Sequence, residues 1–313
     1  MRYVELRFAP QLHCSPDDPA FDVISVLAAV SAGLTRARDE FNTTKTPDEA
    51  AYEFGVVACA MRLFFPGMSR YYDRLFKLHP HAAPDEITSM ASLDLVRACV
   101  AARDVNGLPV VAVDIAGAER GYECQVHRPA FELAHAASLA KTVHAGEGFG
   151  PESIWQAIRD CHADRIGHGF HLFSHHLVEG EKNKGDDGGR KFVDRLLKHV
   201  SDRRITMEVC LTSNLNTMPG LKLEDHSFRR MLDKRVSICL NTDNTLVSNT
   251  TMEKELRLAV DVFSLTPKQL KEIVITGFKR SFYHGSYMER RDYVRSVMNH
   301  YDAVARKHGV PAA

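Results

Sequence analysis

Seven short runs rich in Val and Ile recur along this chain, most followed by a longer stretch of helical character, and that alternation restricts the fold more than any other feature. The runs are Tyr3–Phe8, Val56–Met61, Val110–Ile115, Lys141–Val143, Arg165–Ile166, Ile205–Leu211 and Val236–Leu240. Most are apolar at consecutive positions rather than alternate ones, the pattern of strands buried on both faces. Between them, amphipathic helices are expected over Phe21–Phe41, Ser92–Arg103, Arg128–Leu139, Glu152–Cys161 and Lys191–Val200. Thr266-Pro267-Lys268-Gln269 has the form of a capping box with proline at the first helical position. Repeated strand–helix units imply an α/β fold, a parallel sheet with helices outside it. There is no internal repeat and no linker, so one domain over residues 1–313 is expected. The architecture expected is a (β/α)8 TIM-type barrel lacking its first β/α unit in this chain, because the first visible run begins almost at Met1.

Charge narrows the partners. Lys+Arg and Asp+Glu number 40 each, so no basic excess points to nucleic acid. No apolar run reaches membrane-spanning length, and no signal-peptide pattern opens the chain. The seven cysteines form no CxxC pair, and Cys59, Cys210 and Cys239 sit in apolar runs, which suits a reducing, cytoplasmic compartment. The charged, Gly-rich stretch 179–190 is expected to be a mobile surface loop.

In a parallel barrel, chemistry sits at the C-terminal ends of the strands. Reading those ends yields Ala116-Gly117-Ala118-Glu119, His144-Ala145-Gly146-Glu147, Gly167-His168-Gly169, Thr212-Ser213-Asn214 and Asn241-Thr242-Asp243-Asn244. On an ideal strand His144 and Glu147 face opposite sides, but Gly146 lets the backbone leave strand geometry so that both enter the mouth. A neutral imidazole can ligate zinc, and a carboxylate can shuttle a proton. His168, between two glycines, suits a base or an orienting group, and Asp243 an oxygen ligand. Gly117 leaves room for a flat ligand against the backbone. Singly, each has a plain structural alternative: a capping or core histidine, or an aspartate capping the next helix. The convergence of several at strand ends favours a site. His79-Pro80-His81 resembles a zinc pair, but its proline and its place after a helical run mark a surface loop. His162, His171, His175 and His176 read as solvated surface.

The segments TVHAGEGFGPESIWQAI, DRIGHG, MEVCLTSN and CLNTDN, with YVELRFAP and VDIAGAE, resemble the adenosine/AMP deaminase family, and within it the adenosine deaminases. The resemblance implies a (β/α)8 barrel with one zinc ion, bound in part by His144 and Asp243. It further implies that Glu147 donates a proton to the purine and that His168 acts on the attacking water. Gly117 would contact the purine through its backbone, and Asn244 would bind the ring where many members carry a second Asp. The implied reaction is zinc-dependent hydrolytic deamination of adenosine, with 2′-deoxyadenosine as a further substrate, to inosine and ammonia. This is a hydrolase acting on a C–N bond of a cyclic amidine, and its partner is a small-molecule purine nucleoside. The family's first strand carries an HxH pair supplying two further zinc ligands, and this chain has no matching segment before YVELRFAP. Two alternatives stand beside this reading: a deaminase of another 6-aminopurine, and a non-catalytic truncated barrel.

Overall fold

The computed structural model describes residues 2–15, 17–47, 49–179 and 186–310. Seven strands form one parallel sheet in chain order: β1 (Tyr3–Phe8), β2 (Glu53–Met61), β3 (Val110–Ala116), β4 (Ala140–Ala145), β5 (Arg165–His168), β6 (Thr206–Val209) and β7 (Ile238–Leu240). The first helices are α1 (Val23–Thr43), α2 (Arg70–Leu78), α3 (Pro84–Asp104), α4 (Arg128–Ala136), α5 (Pro151–Cys161) and α6 (Asp186–Arg203). There follow α7 (Leu211–Thr217), α8 (Phe228–Asp233), α9 (Met252–Phe263), α10 (Pro267–Arg280) and α11 (Tyr287–Lys307). This is the α/β barrel architecture expected, with β1 and β7 at the two ends of the strand order.

The outward side chains of the strands, among them Val113, Ile115, Val143, Ile166, Met207 and Val209, pack against the helices in one continuous apolar cluster. A smaller cluster around Ile275, Tyr293 and Val297 draws in Tyr3 and Tyr283. The Tyr293 hydroxyl donates to the carbonyls of Arg2 and Ala51 at 2.7 and 3.0 Å, tying α11 to the segments that lead into β1 and β2. Thr266 and Gln269 form the expected capping box at the start of α10.

Several expected boundaries move. β4 runs on through Ala145 and β5 through His168, because His144 pairs with Gly167 and Ala145 with His168; His144 lies within its strand and His168 is the last paired residue of β5. The run Ile205–Leu211 contracts, since Leu211 is buried as the first residue of α7. Val236 is not in β7: its N–H donates to Met231 O at 3.0 Å, closing the turn after α8. α3 starts at Pro84 rather than Ser92, burying Ile87 and Ala91. Within 179–190, residues 186–190 are the first turns of α6, braced by Arg190–Asp186 at 2.9 Å; residues 180–185 lie outside the described ones. His79 and His81 lie in an exposed turn after α2, as expected. His162 is exposed, but His171 and His175 are half-buried, bonded to Ser174 Oγ at 3.0 Å and Asp186 at 2.9 Å respectively.

The inward face of the sheet is charged. From β1, Arg7 lies 2.6 Å from Glu208 on β6 and 3.4 Å from Asp114 on β3, while Glu5 pairs with Arg165 on β5. Arg165 also lies 2.6 Å from Glu208 and rests on the ring of Phe282. These contacts span the interior, so the sheet is curled with β1 facing β5 and β6. Burial would raise the Glu208 carboxyl, but Arg7 and Arg165 outweigh it and hold it at about 2, below its ordinary 4.5. At Asp114, burial is likewise outweighed, by His144 and Arg7, and the carboxyl sits at about 2 against 3.8.

A carboxyl held low in the fold stabilises it wherever it is ionised, and that stabilisation disappears as pH falls through the folded-state value. The fold should therefore lose stability progressively between about pH 4.5 and pH 2. Chemical denaturation across that range checks this. Glu208→Ala, which leaves the buried Arg165 and the half-buried Arg7 short of a partner, should cost about 3–5 kcal/mol at neutral pH.

Candidate active site

His144 projects inward from β4. Its Nδ1 lies 2.8 Å from Asp114 Oδ2, a close approach that is angled away from a well-directed hydrogen bond. Burial pulls the imidazole pKa down, and the Asp114 carboxylate more than offsets this, so it ends above its ordinary value. Asp114 Oδ1 accepts from the backbone N–H of Ile115 at 2.7 Å and of His144 at 3.3 Å. Behind them Arg62, at the end of β2, donates to the carbonyl of His144 at 2.7 Å and of Tyr122 at 2.6 Å.

After β4 the chain turns at Gly146, where φ is +69° and a Cβ would meet Ile154 Cδ1 at 2.7 Å. The backbone angle favours glycine there, and any side chain would have to displace that of Ile154. The loop that follows wraps one carboxylate. Glu119 Oε1 accepts from the N–H of Gly146 at 2.6 Å, and Oε2 from those of Glu147, Gly148 and Phe149 at 3.0, 2.7 and 3.0 Å. The Ser153 hydroxyl, in α5, donates to the same carboxylate. Glu147 is thus held at its backbone while its side chain reaches the mouth, Oε2 lying 3.5 Å from His168 Nε2. That separation is too long for a hydrogen bond.

His168 ends β5 with a left-handed φ of +64°, and its ring centre is 5.2 Å from that of His144. Burial lowers its pKa. Its Nδ1 lies 3.2 Å from the Asn214 side-chain amide, which in turn lies 3.1 Å from His226 Nε2. Asp243, with φ +54°, accepts from the Ser213 hydroxyl at 2.7 Å. Asp243 is exposed at its surface; partial desolvation would raise its carboxyl, but Ser213, His168 and His144 outweigh this and lower it. The structure therefore brings His144, Glu147 and His168 together from β4 and β5, with Asp243, after β7, near enough for its charge to act on both histidines. Asn244 is exposed, and its Oδ1 accepts from the N–H of Leu246 and Val247, both at 3.1 Å. Gly117 has a φ of +104° and ordinary surroundings, a Cβ there meeting Met61 Cε at 3.6 Å. The backbone angle, rather than crowding, calls for glycine at this position.

Asp114, Arg62 and His226 carry no expected role in the sequence, and Glu119 and Asn214 are visible there only as strand-end groups. The available signal is polarity inside apolar runs: Asp114 within VVAVDIA and Glu208 within TMEVCL. Among the described residues no group of three or more His, Cys, Asp or Glu could hold a metal ion. A catalytic zinc site takes three protein ligands. His144 and Asp243 are suitable donors, but the described residues do not complete such a site.

The family described as Adenosine deaminase matches residues 1–298. The adenosine deaminase of Mycolicibacterium vanbaalenii is 32% identical over 280 residues, which are 90% of this chain; the chain spans 66% of that relative's length. That of Streptomyces coelicolor is 32% identical over 284 residues, 90% of this chain and 60% of the relative. Among solved structures, a Burkholderia ambifaria amidohydrolase with bound Zn superposes with a TM-score of 0.72 at 17% identity, covering 98% of this chain and 70% of that one.

The Glu119 clamp has a direct test. In Glu119→Gln one acceptor oxygen becomes an NH2 group facing N–H donors. The variant should lose about 1–3 kcal/mol of stability, measured by chemical denaturation. Hydrogen exchange should rise at the amides of residues 146–149 and not in α11.

Proposed function

This chain belongs to the adenosine deaminase family, and from that premise we propose that the protein hydrolyses the 6-amino group of adenosine, and of 2′-deoxyadenosine, to give inosine or deoxyinosine and ammonia. The observation that carries the reading is the meeting of Glu147, His168 and His144 at one strand-end mouth, within reach of the Asp243 charge. A small-molecule purine nucleoside is the proposed partner. Zinc is the proposed metal, with His144 and Asp243 as two of its ligands. The zinc in the Burkholderia neighbour supports that choice, the remaining ligands are not among the described residues, and no step below passes through the metal.

Water adds across the C6=N1 bond of the purine, placing hydroxyl on C6 and a proton on N1. Glu147 in its acid form delivers the N1 proton and recovers one from the water. The C6 hydroxyl proton then passes to the amino nitrogen, the C6–N bond breaks and ammonia leaves. His168 orients the attacking water beside Glu147. Asn244, with Oδ1 engaged in its own turn, offers Nδ2 as a donor to a ring nitrogen. The Gly117 backbone is proposed to lie against the purine. A cytoplasmic setting is supported by seven free and buried thiols. No helix among the described residues is long and apolar enough to cross a membrane.

The incomplete donor set favours a second reading, a barrel that binds a purine nucleoside without turning it over. Ammonia release from adenosine, adenine and AMP, with and without added zinc, separates the two. Preference for adenosine supports the first reading. Purine binding without release from any of the three supports the second. In an active preparation Glu147→Gln should lower kcat by about 10²–10⁴-fold. A variant with near-normal kcat removes Glu147 from the chemistry. Asn244→Ala should raise KM with zinc content unchanged.

A further inference from the structure

The hydrogen-bond chain behind His168 begins at a group whose polarity is fixed. The backbone N–H of Phe228 lies 3.0 Å from His226 Nδ1 and can only donate, so that nitrogen carries no proton. The proton of the neutral His226 ring is then on Nε2, 3.1 Å from the Asn214 side chain. A donor at Nε2 needs the amide oxygen opposite it, and this turns the amide NH2 towards His168 Nδ1 at 3.2 Å. An amide NH2 only donates, so His168 Nδ1 accepts and is bare. The proton of neutral His168 is therefore on Nε2, the atom that faces Glu147.

We propose that Asn214 and His226 are positioning residues that hold His168 in the Nε2–H tautomer, so that it presents a donor, not a lone pair, to the reacting mouth. All three side chains are buried, with 2% or less of their surface exposed, so water does not replace a misdirected bond. Reversing any one member sets donor against donor along the chain. Burial and the neighbouring His168 hold the His226 ring at about 4, which keeps it neutral at physiological pH. His168 then holds the oxygen of the attacking water through its Nε2–H. That use of the tautomer rests on the deaminase reading above; the tautomer itself does not.

The test is nitrogen NMR of the 313-residue chain labelled with 15N-histidine, the His168 signals being assigned from their loss in His168→Gln. In the wild type, two-bond proton correlations should show a protonated Nε2 and a bare Nδ1 at His168, and the same pattern at His226. Asn214→Asp offers acceptors to both rings, so a proton should appear on His168 Nδ1. His226→Phe frees the amide to reverse, and His168 should lose its single-tautomer pattern. A proton on Nδ1 of His168 in the wild type overturns the proposal, as does Asn214→Asp with His168 still protonated on Nε2 alone. If neither variant folds, the wild-type spectrum decides. None of these readings requires turnover, so a chain that deaminates nothing leaves the tautomer result standing and fails only the functional reading.

Discussion

Arg7 is the residue on which most of the interior depends. It stands on the first strand and reaches Glu208 on β6 and Asp114 on β3, while its neighbour Glu5 meets Arg165 on β5. Removing such groups from water costs several kcal/mol per ion, and only close pairing offsets it. The pairing is possible only when the sheet is curled, so the charges select the curvature that the apolar outer face alone would leave open. His144 and Arg7 together hold the Asp114 carboxyl at about 2, and ionised Asp114 is in turn what His144 leans on. The strand layer that shapes the barrel thus also sets the charge at its mouth.

The second support is the Glu119 carboxylate. Four consecutive backbone N–H groups and one hydroxyl converge on it from the loop 146–149 and from α5. A loop leaving a strand through glycine has many conformations open to it. The buried carboxylate leaves one in which Glu147 is beside His168. With His168 braced from behind by Asn214, the acid and the imidazole that face each other are both fixed from outside the mouth. Such support from behind is what allows reacting groups to be held in place before a substrate arrives.

Strand number, strand order and the polar groups at the strand ends are legible in the sequence because a parallel barrel writes them as apolar runs with polar residues at the ends. His144, Glu147, His168 and Asp243 stand out for that reason. The ends of β6 and β7 are not legible, since Leu211 and Val236 extend an apolar pattern yet are buried by a helix and a turn. The start of α6 hides in a charged stretch whose i, i+4 pairs show only once the helix is formed. The supporting residues are harder still. Glu119, Asn214 and His226 act through partners between 12 and 46 positions away, and no local spacing marks them. Asn244 shows the opposite case: its position is readable, but the engagement of its oxygen with Leu246 and Val247 appears only in the folded turn.

A crystal structure of the chain with inosine, the product of the proposed reaction, tests the central claim most directly. We expect the purine in the mouth formed by the ends of β4, β5 and β7, with ring N1 at the Glu147 carboxyl, the C6 oxygen towards His168 and Asn244 Nδ2 on a ring nitrogen. Inosine seated away from Glu147 and His168, or with its purine turned so that C6 faces solvent, would contradict it.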